Sequence, residues 1–270
     1  MNGSARRAAT LSPAREAAEY RDRPALRLSG VSKVYGQGED AVHALDNVSL
    51  DVAPGEFLCL VGASGCGKST LLSLVAGLDP VTAGQVDLAD GRAPGLMFQE
   101  PALFPWLTVA GNVGLPLKLR GVKRDQRQAR TQELLRSVHL EEFADKRPHE
   151  LSGGMRQRVA LARTLALDSA VLLMDEPFGA LDAMTRDVLH DEIERIWAER
   201  RLTVMFVTHN VREAARLGDR IVLLSSRPGR VAFERKVDVA RPRRIDSPEI
   251  AAIAAEVTDR LRQEVRRHGS

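Results

Sequence analysis

The sequence predicts an α/β fold from three observations. The runs FLCLV and AVLLM are apolar throughout, LTVMFV is so but for Thr203, and all three are strand-sized, as parallel strands covered on both faces are. A glycine-rich turn, Gly62 to Thr70, stands between the first of them and an apolar helical run, LLSLVAGL. Ahead of it, ALRLSGVSKVY and AVHALDNVSLDVAPGEFLCLVG alternate apolar with polar residues and are broken by Gly and Pro, which reads as antiparallel strands leading into the central ones.

The turn is written GASGCGKST and fits the template G-x-x-x-x-G-K-[ST] in full, in the strand–loop–helix setting that the template requires. Gly62, Gly65 and Gly67 admit backbone conformations that a side chain blocks, so successive N–H groups along Ala63, Ser64 and Cys66 can turn inward around phosphate oxygens. The helix beginning near Lys68 adds unpaired amides and a positive dipole end. Lys68 then reaches the β- and γ-phosphates, and the hydroxyl of Ser69, next to Thr70, is a ligand for Mg²⁺. An ordinary tight turn competes poorly with a complete match. The motif leaves open a kinase, a motor, a switch or a pump.

Composition narrows the class. A chain of 270 residues, 44% hydrophobic, can bury a sizeable core as one domain with a smaller subdomain. The net charge of +3 is small, aromatics are 4%, and the basic excess sits near the two ends, so no nucleic-acid partner is expected. The two cysteines, Cys59 and Cys66, fall in a predicted strand and in the phosphate turn, in no metal-ligand spacing, with no signal-peptide pattern ahead of them, so a reduced cytoplasmic compartment is expected. No apolar run approaches bilayer length; work at a membrane would need an integral partner.

In chain order, residues 1–24 are rich in Ala, Arg, Ser and Pro and read as a flexible tail. Tyr35 ends the first alternating segment, either as a strand-edge packing residue or as an aromatic stacked on a base; spacing leaves both open. DPVTAGQV reads as a turn and short strand, and GLMFQ as a buried strand ending in Gln99, which either is a surface residue or, if the strand joins the nucleotide-bearing sheet, falls at its carboxyl edge. EPALFPWLTVAGNVGLPLKLRG, with three prolines, clusters Phe104, Trp106 and Leu107 either as a folded-in loop or as an apolar docking surface. Residues 123–147 are charged and helical in pattern, with Leu134, Leu135, Val138 and Leu140 inward.

HELSGGMRQRVALARTLAL follows. Ser152 suits an N-cap, Gly153 and Gly154 open the backbone, and Val159, Ala162, Leu165 and Ala166 mark an amphipathic helix starting just after them. This is a second helix start prepared for an anion, but without a lysine of its own kind, which suggests a nucleotide shared between two chains. A plain N-cap is the alternative. AVLLMDEP then delivers Asp175, a partner for Mg²⁺ beside Ser69, and Glu176, placed to polarise water as a general base. Beyond it, Asp182 lies in a turn and Val188, Leu189, Ile193, Ile196 and Trp197 form a core stripe. LTVMFVTHN ends in His209, so three strand ends carry polar side chains toward one phosphate turn. DRIVLLSSRPGRVAFERKVDV reads as two strands around a Pro-Gly turn, and residues 246–266 as a charged helix.

These motifs, in this order, resemble the ATP-binding subunits of ATP-binding cassette (ABC) transporters: GASGCGKST, Gln99, LSGGMRQR, VLLMDEP, GALD and His209, across roughly residues 25–240. The resemblance implies a P-loop NTPase (RecA-like) core, an antiparallel β subdomain and an α-helical subdomain at about 100–165; beyond it, 241–270 reads from the sequence as a C-terminal helical extension. It implies ATP and Mg²⁺ as ligands, and a head-to-tail homodimer in which Ser152, Gly153 and Gly154 of one chain cover the γ-phosphate held by the other. By the same carry-over Tyr35 stacks on adenine, Gln99 senses Mg²⁺ and the membrane subunits, Glu176 is the catalytic base, Asp182 joins the two sites, and His209 contacts the γ-phosphate. The permease would be integral, fed by an extracytoplasmic solute-binding protein, with this chain peripheral on the cytoplasmic face of the membrane.

FQEPALFPWLTVAGNV, DEPFGALDAMTR and SSRPGRV most resemble importers of the nitrate, sulfonate and taurine group, although the stretch between Gly84 and Leu96 is shorter than in most of them. That resemblance turns Phe104 and Trp106 toward docking of the permease. Three other readings remain. An exporter subunit is the nearest; a soluble cassette ATPase acting on DNA or ribosomes would carry two cassettes or long insertions; a P-loop kinase or switch GTPase leaves LSGGMRQR without a purpose.

Overall fold

The alternation from Leu26 onward becomes β1 (Leu26–Tyr35) and β2 (Val42–Val52), antiparallel, with Leu26 opposite Val52 and Tyr35 opposite Val42. The computed structural model describes residues 23–268, so the expected tail lies outside the described residues but for its last two positions. After β3 (Phe57–Val61) and α1 (Lys68–Val75), β4 (Ala83–Leu88) returns to pair with β1, giving a three-stranded sheet in the order β2-β1-β4.

The central sheet is assembled from distant segments. β5 (Gly95–Met97), β6 (Val171–Asp175), β7 (Thr203–Val207), β8 (Arg220–Leu224) and β9 (Val231–Lys236) join β3 in the order β5-β6-β7-β3-β8-β9. All neighbours are parallel except β9, which runs back along β8. The wholly apolar strands are explained by two cores. Along β3, Phe57, Cys59 and Val61 enter a core shared with the helices, while Leu58 and Leu60 enter a second one built with α1 and the antiparallel sheet.

Helices α2 (Val109–Leu119), α3 (Arg124–Ser137) and α4 (Gly153–Leu165) pack on one another. Leu134, Leu135, Val138 and Leu140 are buried as their spacing predicts, but the helical pattern read as far as residue 147 stops ten residues earlier, at Ser137. His139 takes a left-handed conformation (φ 53°), its N–H bonds Arg136 O at 3.2 Å and the Leu140 N–H bonds Leu135 O at 2.9 Å. That closure turns the chain out of the helix.

In α5 (Ala183–Arg200), Leu189, Ile193 and Ile196 are buried, whereas Val188 is 51% exposed. The predicted stripe is therefore corrected at that position, because one residue before Leu189 lies about 100° round the helix. Short α6 (Val211–Leu217) and the terminal α7 (Pro248–His268) pack together, and Ile250, Ile253, Ala254 and Val257 of α7 share the core beneath the central sheet.

Candidate nucleotide site

Because β5, β6, β7 and β3 are parallel neighbours, their carboxyl ends share one edge. The phosphate turn follows β3, His209 stands two residues beyond β7, Asp175 closes β6 with Glu176 after it, and Gln99 stands two residues beyond β5. The strand order alone thus brings the predicted polar ends alongside the turn.

Lys68 opens α1, and its buried ammonium donates to Gly62 O and Ala63 O, each at 3.0 Å. Cys66 beside it is buried, and burial pushes its thiol up, so it stays protonated and unreactive. Burial also raises Asp175, assisted by the charge of Glu176 and opposed by a hydrogen bond with Ser69 and by Lys68. A hydroxyl and a carboxylate in contact are hard oxygen donors, which suit Mg²⁺ with phosphate and water completing its shell. No cluster of three or more His, Cys, Asp or Glu that could hold a metal alone exists among the described residues.

Glu176 is held in a left-handed conformation (φ 43°), an arrangement that costs a non-glycine residue free energy and concentrates at functional sites. Its N–H bonds Val207 O at 3.0 Å, and its Oε2 lies 2.8 Å from His209 Nδ1. Gln99 Nε2 and Glu176 Oε2 lie 3.7 and 3.9 Å from where a Cβ of Gly179 would stand, on the same side of that glycine. Beneath His209 runs a polar network that sequence reasoning missed. Thr208 Oγ1 donates to Glu213 and accepts from Asn210 N, and Glu213 Oε1 is 2.5 Å from the buried His190 Nε2.

Tyr35, 41% exposed, donates its hydroxyl to Asp79 Oδ2 at 2.8 Å, while Lys33 donates to Asp79 Oδ1 at 2.7 Å and sits 4.8 Å from the Tyr35 ring centre. Hydrogen bonds from Lys33 and then Tyr35 hold the Asp79 carboxyl below its usual range. Tyr35, Ser64, Gly65, Gly67, Lys68, Ser69, Thr70, Glu176 and His209 line one cavity of about 480 Å³. Val42, Ala44 and Arg227, not anticipated from sequence, complete its wall. A larger cavity of about 920 Å³ opens at the amino-terminal edge of the same sheet, but none of the predicted site residues reaches it.

Ser152, Gly153, Gly154 and Asp182 do not line the 480 Å³ cavity. Ser152 Oγ accepts from Met155 N at 3.3 Å and Asp182 Oδ1 from Thr185 N at 3.0 Å, so each caps a helix. The two helix starts pack on each other: a Cβ at Gly154 would fall 2.5 Å from Thr185 Cγ2. Gln157, further along α4, donates to Gln99 O at 2.9 Å and ties this helix to the Gln99 segment.

A complete phosphate turn, an acid pair at a nearby strand end and a histidine on the second acid define the class, a nucleoside triphosphatase. The chain belongs to the ABC transporter family, whose model matches residues 45–179, and it is the ATP-hydrolysing component of such a transporter. It is 50% identical over 207 residues to the taurine import ATP-binding protein TauB of Rhizobium johnstonii, covering 74% of this chain and 79% of that one. It is 45% identical over 253 residues to the aliphatic sulfonates import ATP-binding protein SsuB 1 of Mesorhizobium japonicum, with 92% and 93% covered. Among solved structures, a dimeric post-hydrolysis state of the ATP-binding cassette MJ0796 bound to ADP and Pi superposes with a TM-score of 0.69 at 35% identity, over 80% of this chain and 100% of that one.

Proposed function

We propose that this chain powers an importer of taurine, an aliphatic sulfonate, nitrate or a similar small solute. It works as a head-to-tail pair on the cytoplasmic face of a membrane permease that is fed by an extracytoplasmic solute-binding protein. The named importer relatives support the direction and the solute class. No helix among the described residues is long and apolar enough to cross a membrane, so in this reading the permease supplies the crossing.

The observation that carries the reading is a division of parts. The 480 Å³ cavity holds the phosphate turn, Glu176 and His209 but lacks the helix start Ser152–Gly154, which is capped and faces elsewhere on the same chain. A second chain related by a two-fold axis can bring its own Ser152, Gly153 and Gly154 over the triphosphate, as Asp182 approaches from the adjoining helix start. Tyr35 then carries adenine, and the turn from Gly62 to Thr70 carries the phosphates. Glu176 takes a proton from the attacking water as its oxygen bonds to the γ-phosphorus and the bond to the β-phosphate oxygen breaks. His209, 2.8 Å away, orients that carboxylate. Ser69, Asp175 and Gln99 would hold Mg²⁺, which when bound offsets phosphate charge.

Phe104 and Trp106 fit a docking role in this assembly. Trp106 is 69% exposed, its ring 5.4 Å from that of Phe104, and the segment is pinned from below by buried Asn112, which accepts from Phe104 N at 2.8 Å. Phe104 is half-buried with the Arg163 guanidinium 5.8 Å from its ring centre, so Phe104→Ala with Trp106→Ala should lower the thermal midpoint by a few degrees, about 1–2 kcal/mol, and leave the fold standing. The same pair should abolish co-purification with the permease; loss of fold instead would return both residues to the core. Uptake of labelled taurine and alkanesulfonates in vesicles holding this chain and its permease tests the whole reading. Association with ribosomes or DNA and no permease would overturn it.

A further inference from the structure

We propose that Arg227 is a phosphate-binding and loop-positioning residue of the ATP site, recruited from the β8–β9 turn. The inference rests on the placement of the nucleotide at Gly62–Thr70 and adds to it a residue outside the sequence motifs of that site. Arg227 Nε donates to Gly65 O at 2.9 Å, and its Nη2 lies 3.2 Å from where a Cβ of Gly65 would stand, so the guanidinium lies against the phosphate turn. It lines the same cavity as Tyr35, Lys68, Glu176 and His209.

The turn that carries Arg227 is built against the phosphate loop. Gly229 N donates to Ala44 O at 2.9 Å, and Asp46 N donates to Gly229 O at 3.0 Å. A Cβ at Gly229 would fall 2.2 Å from Cys66 O, so a side chain there would push the two turns apart. Ser225 closes the turn on itself, with its Oγ donating to Pro228 O and accepting from Arg230 N, both at 2.9 Å. Arg227 is thereby delivered to the loop by backbone that has little freedom.

Charge separates Arg227 from its neighbour. Arg230, three residues on, is paired with Asp46. Arg227 uses one of its five donors on Gly65 O, and neither terminal nitrogen has a partner among the described residues. An arginine fork beside a turn that cradles phosphates matches the geometry of phosphate oxygens. The bond to Gly65 O also fixes the Gly65–Cys66 peptide plane, whose N–H bonds Ala63 O at 3.3 Å within the loop. One side chain thus orients the loop and adds positive charge to it.

The test is titration calorimetry of the full chain with ATP and with ADP in Mg²⁺, for the parent, Arg227→Ala, Arg227→Lys and Lys68→Ala. Arg227→Ala should weaken both nucleotides about five- to tenfold, between what an exposed ion contact and a buried hydrogen bond to a charged group contribute, because Arg227 is exposed. The gap should narrow as salt rises from about 0.05 M to about 0.5 M, because an exposed charge is screened. Arg227→Lys should recover part of the loss and its salt dependence. Affinities within about twofold of the parent would overturn the proposal, since a factor that small is under 0.5 kcal/mol. So would a loss that salt does not change and lysine does not recover, which marks a purely structural turn. Unchanged nucleotide affinity with loss of ATP-dependent pairing would assign Arg227 to the partner chain instead. Should Lys68→Ala also bind normally, the nucleotide site itself is misplaced.

Discussion

Glu176→Gln should bind ATP and lose nearly all turnover. A general base contributes about 10²- to 10⁴-fold, so kcat should fall by at least about a hundredfold. The carboxylate is already aimed: its residue is fixed in a left-handed conformation, its N–H bonds β7 at Val207 O, and its Oε2 meets His209 Nδ1 at 2.8 Å. Glutamine keeps the shape and can still hydrogen-bond histidine, but its amide oxygen is too weak a base to accept the proton of water. Single-turnover phosphate release measures the effect. Hydrolysis within about fivefold of the parent would remove Glu176 from the role of base, because that small a factor is below what general-base loss produces.

Lys68→Ala acts one step earlier, on binding. Its buried ammonium points among the carbonyls of Gly62 and Ala63 and stands within the loop that must cradle the phosphates. A hydrogen bond to a charged group contributes about 1.5–3 kcal/mol, so the dissociation constant for ATP should rise about ten- to a hundredfold. Fluorescence titration with a labelled ATP analogue reads this directly, and adenosine, which has no phosphate to contact, should bind as before. Equal loss for ATP and adenosine would mean a collapsed loop rather than a missing phosphate contact.

The central strands were legible because their chemistry is extreme: five consecutive apolar residues can be satisfied only between two cores, and β3 splits into Phe57, Cys59 and Val61 on one side and Leu58 and Leu60 on the other. The phosphate turn and the polar strand ends were legible for a similar reason, since their residue types serve little else at those positions. What escaped is long-range and polar. Arg227 meets Gly65 across 162 positions and Lys33 meets Asp79 across 46, and no local periodicity encodes either. The Thr208–Glu213–His190 network was hidden likewise, because its buried histidine lies on α5 among residues that read as an ordinary amphipathic helix. The end of α3 was missed because it turns on His139 adopting a conformation more often given to glycine, and Val188 because a stripe read from spacing has an uncertain edge.

In the proposed division of one ATP site between two chains, a full phosphate turn and a capped, glycine-led helix start would occur in one chain without lining the same cavity, as they do here. In that proposal hydrolysis reports that two subunits have closed, and closure is the movement delivered to the permease. The mass of Glu176→Gln by light scattering, with and without Mg²⁺ and ATP, tests this most directly. The account predicts a single chain of 29.6 kDa without nucleotide and twice that mass with it, returning to one chain when ATP is removed. A protein that binds ATP and stays at the mass of one chain at every concentration would contradict it.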